Sequence, residues 1–239
     1  MAASTDTAVH HRLDDGVLVV TLDDGERNAL QPATLADLEH ALDQEARAVV
    51  LSGRPGALTA GLDIKWMAAH GRQGATELVT ALGRCLMRWW TDPRPTVCAA
   101  TGHAIAAGTM LAMACDHAVA ADDSYWGLTE TQIDLEMPTF GIALARANVR
   151  ADRLEDLVLP GARVDAAQAV EAGYADELAA ADEVVDRALR RAHELAELPA
   201  RAYARTKQRL RGGPARDVLD QLEADIAEAT AHLDDTPAA

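Results

Sequence analysis

Three short apolar runs constrain the fold of this chain most: Arg47–Gly53 (RAVVLSG), Pro95–Gly102 (PTVCAATG) and His117–Asp122 (HAVAAD). None alternates apolar with polar residues, the pattern expected of a strand with one wet face. Each reads instead as a strand buried on both faces of a parallel sheet. Parallel neighbours need crossover connections, and helical stretches separate the runs. GATELVTALGRCLMRWWTD leads into the second run, and the Gly- and Ala-rich AAGTMLAMACD into the third. Upstream, AVHHRL and VLVVTL flank the acidic-Gly turn of a β-hairpin. PATLADLEHALDQEA follows, placing Leu35, Leu38, Ala41 and Leu42 at helical spacing, with Thr34 as a candidate cap. The order is a right-handed βαβ progression in an α/β fold, flat or coiled. Beyond about residue 140 the strand signal fades, and the last 100 residues read as helices ending in a short polar tail, DDTPAA.

Charge narrows the partners. With 22 basic and 38 acidic residues, a net −16, the surface repels phosphate backbones, so nucleic acid is not an expected partner. No apolar stretch approaches the roughly 20 residues of a membrane helix, and MAASTDTAVHHRLDDG lacks the pattern of a secretory signal, so no membrane contact and a cytoplasmic location are expected. Cys85, Cys98 and Cys115 lie in apolar surroundings without metal-ligand spacing and read as reduced core thiols. Aromatic residues make up only 3%, so packing must rest on Ala, Leu and Val, which favours close helix approach.

Chemistry has two candidate places. Thr59–Asp63 (TAGLD) and Ala106–Gly108 (AAG) are small-residue loops that follow the first two apolar runs and open helices. Such loops leave backbone amides unpartnered at the positive end of a helix. Either alone reads as an ordinary tight turn. Two such loops following neighbouring parallel strands would converge, and two amides could then share one oxygen.

These residues carry a resemblance to a family. VVLSGRPGALTAGLDIKWM and ATGHAIAAGTMLAMACDHAVAAD resemble the two signature loops of the crotonases, the enoyl-CoA hydratases and isomerases. VTLDDGERNAL is similar to that family's early CoA-contact loop, WGLTETQIDL to the segment of its second carboxylate, and ARTKQRLR to its C-terminal helix. The resemblance implies a crotonase-like coiled ββα superhelix over 1–185, with a C-terminal α-helical trimerisation region over 186–239. It also implies a homotrimer or a hexamer built as a dimer of trimers. The ligand would be an acyl-CoA thioester, CoA entering with the substrate and no separate cofactor or metal being required. The thioester oxygen would sit between the amides of Leu62 and Ala107, with Ala60, Asp63, Ile64 and Gly108 in the same loops. CoA contacts carried over by position are Arg27, Ala29, Lys65 and Lys207, while Trp66, Met67 and Phe140 would bound the acyl pocket.

One departure from the family pattern redirects the chemistry. Hydratases of this family use two glutamates; here the first position is Met110, which cannot carry a proton, and Glu130 stands at the second. A single carboxylate matches the Δ3,Δ2-enoyl-CoA isomerases of the family, in which one glutamate moves a proton from C2 to C4. Dienoyl-CoA isomerases place an acid near the position of Thr139, which loses that reading support. Hydration, other enolate chemistry (C–C or thioester hydrolysis, decarboxylation) and a silent acyl-CoA-binding scaffold are the alternatives, and only an enzyme needs Glu130 aimed into a pocket. Asp134 and Glu136 read as surface charges, His103 as a packed histidine, His10 and His11 as hairpin residues, and Trp89 and Trp90 as core or interface.

Overall fold

The computed structural model describes residues 8–231 and 233; the expected tail at 234–239 lies outside them. The hairpin forms as β1 (Val9–Asp14) and β2 (Val17–Leu22), antiparallel across Asp15–Gly16, and α1 follows over Pro32–Ala41. Pro32 occupies the first helical turn behind Gln31, so Thr34 lies inside the helix and caps nothing. Then a ββα unit recurs: β3 (Ala48–Ser52), β4 (Gly56–Thr59) and α2 (Ile64–Thr91); β5 (Thr96–Ala100), β6 (Gly102–Ile105) and α3 (Ala107–Ala114); β7 (His117–Ala121), β8 (Tyr125–Gly127) and α4 (Thr139–Asn148). In each unit the first strand joins a six-stranded sheet, ordered β1-β2-β3-β5-β7-β10, and the second joins a four-stranded sheet, ordered β4-β6-β8-β9. The chain therefore turns a corner between sheets once per repeat and coils as it advances.

The region past residue 140 holds two short strands besides its helices. These are β9 (Val164–Asp165), which pairs antiparallel with β8, and β10 (Glu177–Ala179), which extends the large sheet beside β7. At two and three residues they are too short to show periodicity in sequence. The helices there are α5 (Leu154–Val158), α6 (Ala166–Ala172), α7 (Val184–Ala196) and α8 (Ala200–Ala229), and α8 runs through Pro214 as one element where two are expected.

Burial explains the apolar runs. Leu18, Val20, Val49, Leu51, Cys98, Ala100, Ala118 and Ala120 face the main core with α1 to α4, while Val17, Val19, Ala48, Val50, Val97, Ala99, Val119 and Ala121 face a second cluster. That second face is closed by α7 through Val184, Ala188 and Ala192, spaced four apart on one stripe. The boundary expected at 185/186 thus falls inside a helix that covers the sheet. Trp89 and Trp90 are fully buried, and Cys85, Cys98 and Cys115 are buried free thiols, with burial pushing the Cys85 thiol up.

Helix α8 is held down by a buried charge cluster. Asp116, at the end of α3, receives Lys207 Nζ at 2.6 Å, Arg211 Nη1 at 2.6 Å, the Tyr203 hydroxyl at 2.8 Å and the Thr96 N–H at 2.9 Å. Burial pulls the Lys207 pKa down, and Asp116 opposes that shift. Removing the acid strands a buried ammonium, which typically costs about 3–5 kcal/mol. Asp116→Ala is expected to lower unfolding free energy by about that much in urea titrations, and Lys207→Met by less than half as much, since Asp116 keeps Arg211 and Tyr203. Equal losses for the two variants would show that the cluster does not act through charge.

Candidate active site

The two small-residue loops leave the carboxyl ends of β4 and β6, adjacent parallel strands of the small sheet, rather than the ends of the long apolar strands. Strand β8 pairs parallel with β6 on its other side, and Glu130 opens a 3₁₀ turn (Glu130–Ile133) three residues past its end. Three neighbouring strands thus deliver both loops and the carboxylate to one place.

Local hydrogen bonding aims the amides. The Leu30 N–H donates to the Gly61 carbonyl and the Asp63 N–H to the Leu30 carbonyl, both at 2.9 Å. In this parallel bridge the flanking residues of Leu62 pair with Leu30, so the N–H of Leu62 itself faces away from the bridge. In the second loop the Ala106 N–H donates to the Gly127 carbonyl at 2.8 Å, and Ala106 takes φ 52°, ψ −114°. A non-glycine residue at such angles is strained, and here the strain turns the chain so that Ala107 starts α3 with its N–H outside the helical ladder. The loops touch: a methyl built on Gly61, itself at φ +96°, would lie 3.9 Å from Ala107 N. One built on Gly108 would lie 2.9 Å from the Thr59 carbonyl oxygen, so only glycine lets the loops close up there. The Thr59 hydroxyl donates to the Asn28 carbonyl and accepts the Gly61 N–H at 3.0 Å, fixing the first loop from below.

Both amide-bearing residues line a cavity of about 240 Å³. Of the residues expected at the site, Ala60, Leu62, Ile64, Met67, Ala107, Met110, Glu130 and Phe140 meet there. The others do not. Asp63 caps α2, accepting the Trp66 N–H at 2.9 Å and Gln31 Nε2 at 2.8 Å. Trp66 is turned about 100° along the helix from Met67 and stacks on His70 with ring centroids 4.0 Å apart. Gly108 packs behind the loop, while Arg27 and Lys65 are exposed side chains, and the Arg27 carbonyl accepts the Ala60 N–H at 2.9 Å. Ala29 borders a separate groove beside β1 and α1. Lys207 is only 5% exposed and bound to Asp116, so its ammonium is a counter-ion inside the fold rather than a free CoA-facing charge. His103 is exposed, and its Nδ1 accepts the Tyr125 N–H at 3.2 Å; it is not a core residue.

The cavity also takes walls that sequence reasoning missed. Val79 and Leu82 come from α2, Leu135 and Glu136 from the segment after the 3₁₀ turn, and Ala229 and Thr230 from the end of α8. Val79 and Leu82 share a helical stripe that only says "inward", and nothing local ties residue 230 to residue 107. Glu136 is an exposed rim residue, and Asp134 ends the 3₁₀ turn in a left-handed conformation without lining the cavity.

Glu130 is the one buried carboxylate of the cavity. It is 8% exposed, Oε2 has no hydrogen-bond partner among the described residues, and burial pushes its pKa up to about 7. At neutral pH it is therefore poised to take a proton and to give one back. Met110, 1% exposed, sets an apolar thioether among the same walls. A folded-state pKa raised from 4.5 to about 7 means the folded chain holds the proton that the unfolded chain releases, so stability declines as pH rises between those values. The decline amounts to about 3 kcal/mol. Glu130→Gln is expected to remove that part of the pH dependence and to be the more stable form above pH 7 in urea titrations. A variant whose pH–stability curve follows the wild type would show that Glu130 is not held protonated by burial.

Comparison with known proteins identifies the family of the chain. The family model for enoyl-CoA hydratase/isomerase matches residues 12–236. A putative enoyl-CoA hydratase of Thermus thermophilus is 35% identical over 213 residues, 85% of this chain and 84% of the relative. A Mycobacterium tuberculosis protein described as an enoyl-CoA isomerase superposes with a TM-score of 0.87 at 28% identity, covering 95% of this chain and all of the other. Human mitochondrial Δ3-Δ2-enoyl-CoA isomerase superposes with a TM-score of 0.89 at 25% identity, covering 94% and 91%. With the family model spanning nearly its whole length, the chain belongs to the enoyl-CoA hydratase/isomerase family, the crotonases.

Proposed function

We propose that this enzyme binds an acyl-CoA thioester with its carbonyl oxygen between the amides of Leu62 and Ala107, and shifts a double bond from Δ3 to Δ2 with Glu130 as sole proton carrier. The observation that carries this reading is the pairing of one buried carboxylate with Met110 in a single apolar cavity. Removing a C2 proton places charge on the thioester oxygen, and each preorganised amide stabilises it by roughly 3–4 kcal/mol. Glu130 takes that proton as a carboxylate, becomes the neutral acid that burial favours, and returns the proton at C4. The electron pair of the broken C2–H bond becomes the C2–C3 double bond and the former C3–C4 π pair takes up the proton at C4, so the step balances without water or an added cofactor. Hydration would instead need a second proton-carrying group, and the position where the family's hydratases keep it holds a thioether. The mouth of the cavity carries exposed Ile64 and Ile133, matching an apolar acyl chain rather than a polar one. The buried Glu130 carboxylate facing the cavity also speaks for catalysis over a silent acyl-CoA scaffold.

The exposed Leu198, Leu210 and Leu219 along the C-terminal helices suit burial between copies, and we infer a homotrimer or a pair of trimers. Light scattering should return three or six times the 25.4 kDa chain, and a monomer mass would refute the assembly.

Glu130→Gln should leave acyl-CoA binding intact while 3-enoyl-CoA isomerisation and deuterium exchange at C2 of a saturated acyl-CoA fall by roughly 10²–10⁴. Equal exchange in the variant would remove Glu130 from the mechanism. Met110→Glu should raise the weak hydration of crotonyl-CoA; strong hydration by the unaltered protein would instead favour a hydratase in which the rim residue Glu136 supplies the second acid.

A further inference from the structure

One side chain separates the cavity from the outer surface of the helices. The amides of Leu62 and Ala107 enter the cavity from the small sheet, whereas Ala229 and Thr230 enter it from the end of α8, which packs on α2 and α4. Thr230 also lines a surface groove between α2 and α8, together with Gln73, Thr76, Glu77 and Ala227. It therefore stands between the two spaces, and two hydrogen bonds hold it there. Thr230 is 4% exposed, and its hydroxyl donates to the Ile226 carbonyl at 2.7 Å. With that proton engaged, the 2.9 Å contact between the Thr76 and Thr230 hydroxyls is a bond donated by Thr76. The pair clasps α8 to α2 at one end. At the other the helices close directly, since a methyl built on Gly83 would lie 2.7 Å from Leu222 Cδ1 and 2.8 Å from Phe140 Cδ1. Between these closures the wall given by α2 is apolar, Val79 and Leu82. A hydrocarbon chain gains from each methylene laid along that wall, and stops gaining where it meets the clasped hydroxyls and the polar groove behind them.

We propose that Thr230, locked by Thr76, sets the length of the acyl chain that this enzyme takes, the last carbon of the chain stopping against it. Size gives the limit: at roughly 30 Å³ for a water-sized group, a cavity of about 240 Å³ holds about eight heavy atoms, an acyl group of about six to eight carbons. The substrate class is thus a short- to medium-chain acyl-CoA. This inference rests on the acyl group occupying the cavity as proposed above, and not on Glu130 acting as the base.

The test measures binding, so it does not depend on turnover. Dissociation constants for butyryl-, hexanoyl-, octanoyl-, decanoyl- and lauroyl-CoA are taken by isothermal titration on the unaltered protein, Thr230→Ala and Thr230→Leu. In the unaltered protein affinity should tighten about fourfold per methylene up to hexanoyl- or octanoyl-CoA and then level off or fall. Thr230→Ala removes two heavy atoms of the wall and its bond to Thr76. It should carry the tightening about two carbons further, raising the affinity for decanoyl-CoA relative to butyryl-CoA roughly tenfold. Thr230→Leu, which adds bulk at the same place, should stop the tightening earlier than in the unaltered protein. Ratios within one protein cancel a uniform loss of affinity, and the leucine variant decides the matter if the alanine variant is poorly folded. Tightening that continues through lauroyl-CoA in the unaltered protein, or the same break point in all three proteins, overturns the proposal and leaves the acyl-CoA reading in place. Failure of the folded protein to bind any acyl-CoA would overturn both. Full C2 exchange in Glu130→Gln would remove the base and leave the length limit standing.

Discussion

The site hangs on one hydrogen bond between two strands' ends, from the Ala106 N–H to the Gly127 carbonyl. Without it Ala106 has no reason to hold a positive φ, and Ala107 would continue the strand rather than open α3 with its amide aimed at the cavity. The Thr109 hydroxyl doubles the tie, donating to the Ala104 carbonyl at 2.7 Å and accepting the Gly127 N–H at 3.1 Å. The same contact that orients the second loop therefore fixes the end of β8, and with it the point where Glu130 begins its turn. The Ala107 amide and the Glu130 carboxylate are set by one local geometry, so moving either disturbs the other.

Desolvation supplies the rest of the chemistry. The cavity is walled by Met67, Val79, Leu82, Met110 and Phe140, and that setting is what lifts Glu130 toward neutrality. A low-polarity enclosure also strengthens what two amides do for a developing oxyanion. Met110 serves the enclosure in two ways. Its thioether sets an apolar wall in the cavity, and its methyl closes against Gly141, where a methyl substituent would come within 3.1 Å of it.

Much of this was legible in sequence, and what was missed has physical causes. RAVVLSG, PTVCAATG and HAVAAD announce themselves because both faces of their sheet are buried, one by α7 and one by the main core. Strands β4, β6 and β8 are three or four residues long and lie beside glycine-bearing corners, so they look like loops although they carry the site. The resemblance to crotonases points to Leu62, Ala107 and Glu130, and the structure brings all three to one cavity because three neighbouring strands of the small sheet deliver them there. Trp66 and Lys207 were misjudged because their roles depend on side-chain direction: Trp66 follows the helix to His70, and Lys207 turns inward to an aspartate ninety-odd residues away in sequence.

The most direct test of the account is a crystal structure with a saturated acyl-CoA bound. The account predicts the thioester oxygen within about 2.7–3.1 Å of both Leu62 N and Ala107 N, with the Glu130 carboxylate against C2 and the acyl chain running along Met110 and Phe140. A thioester oxygen held elsewhere, or a Glu130 carboxylate turned from the acyl carbons, would contradict it.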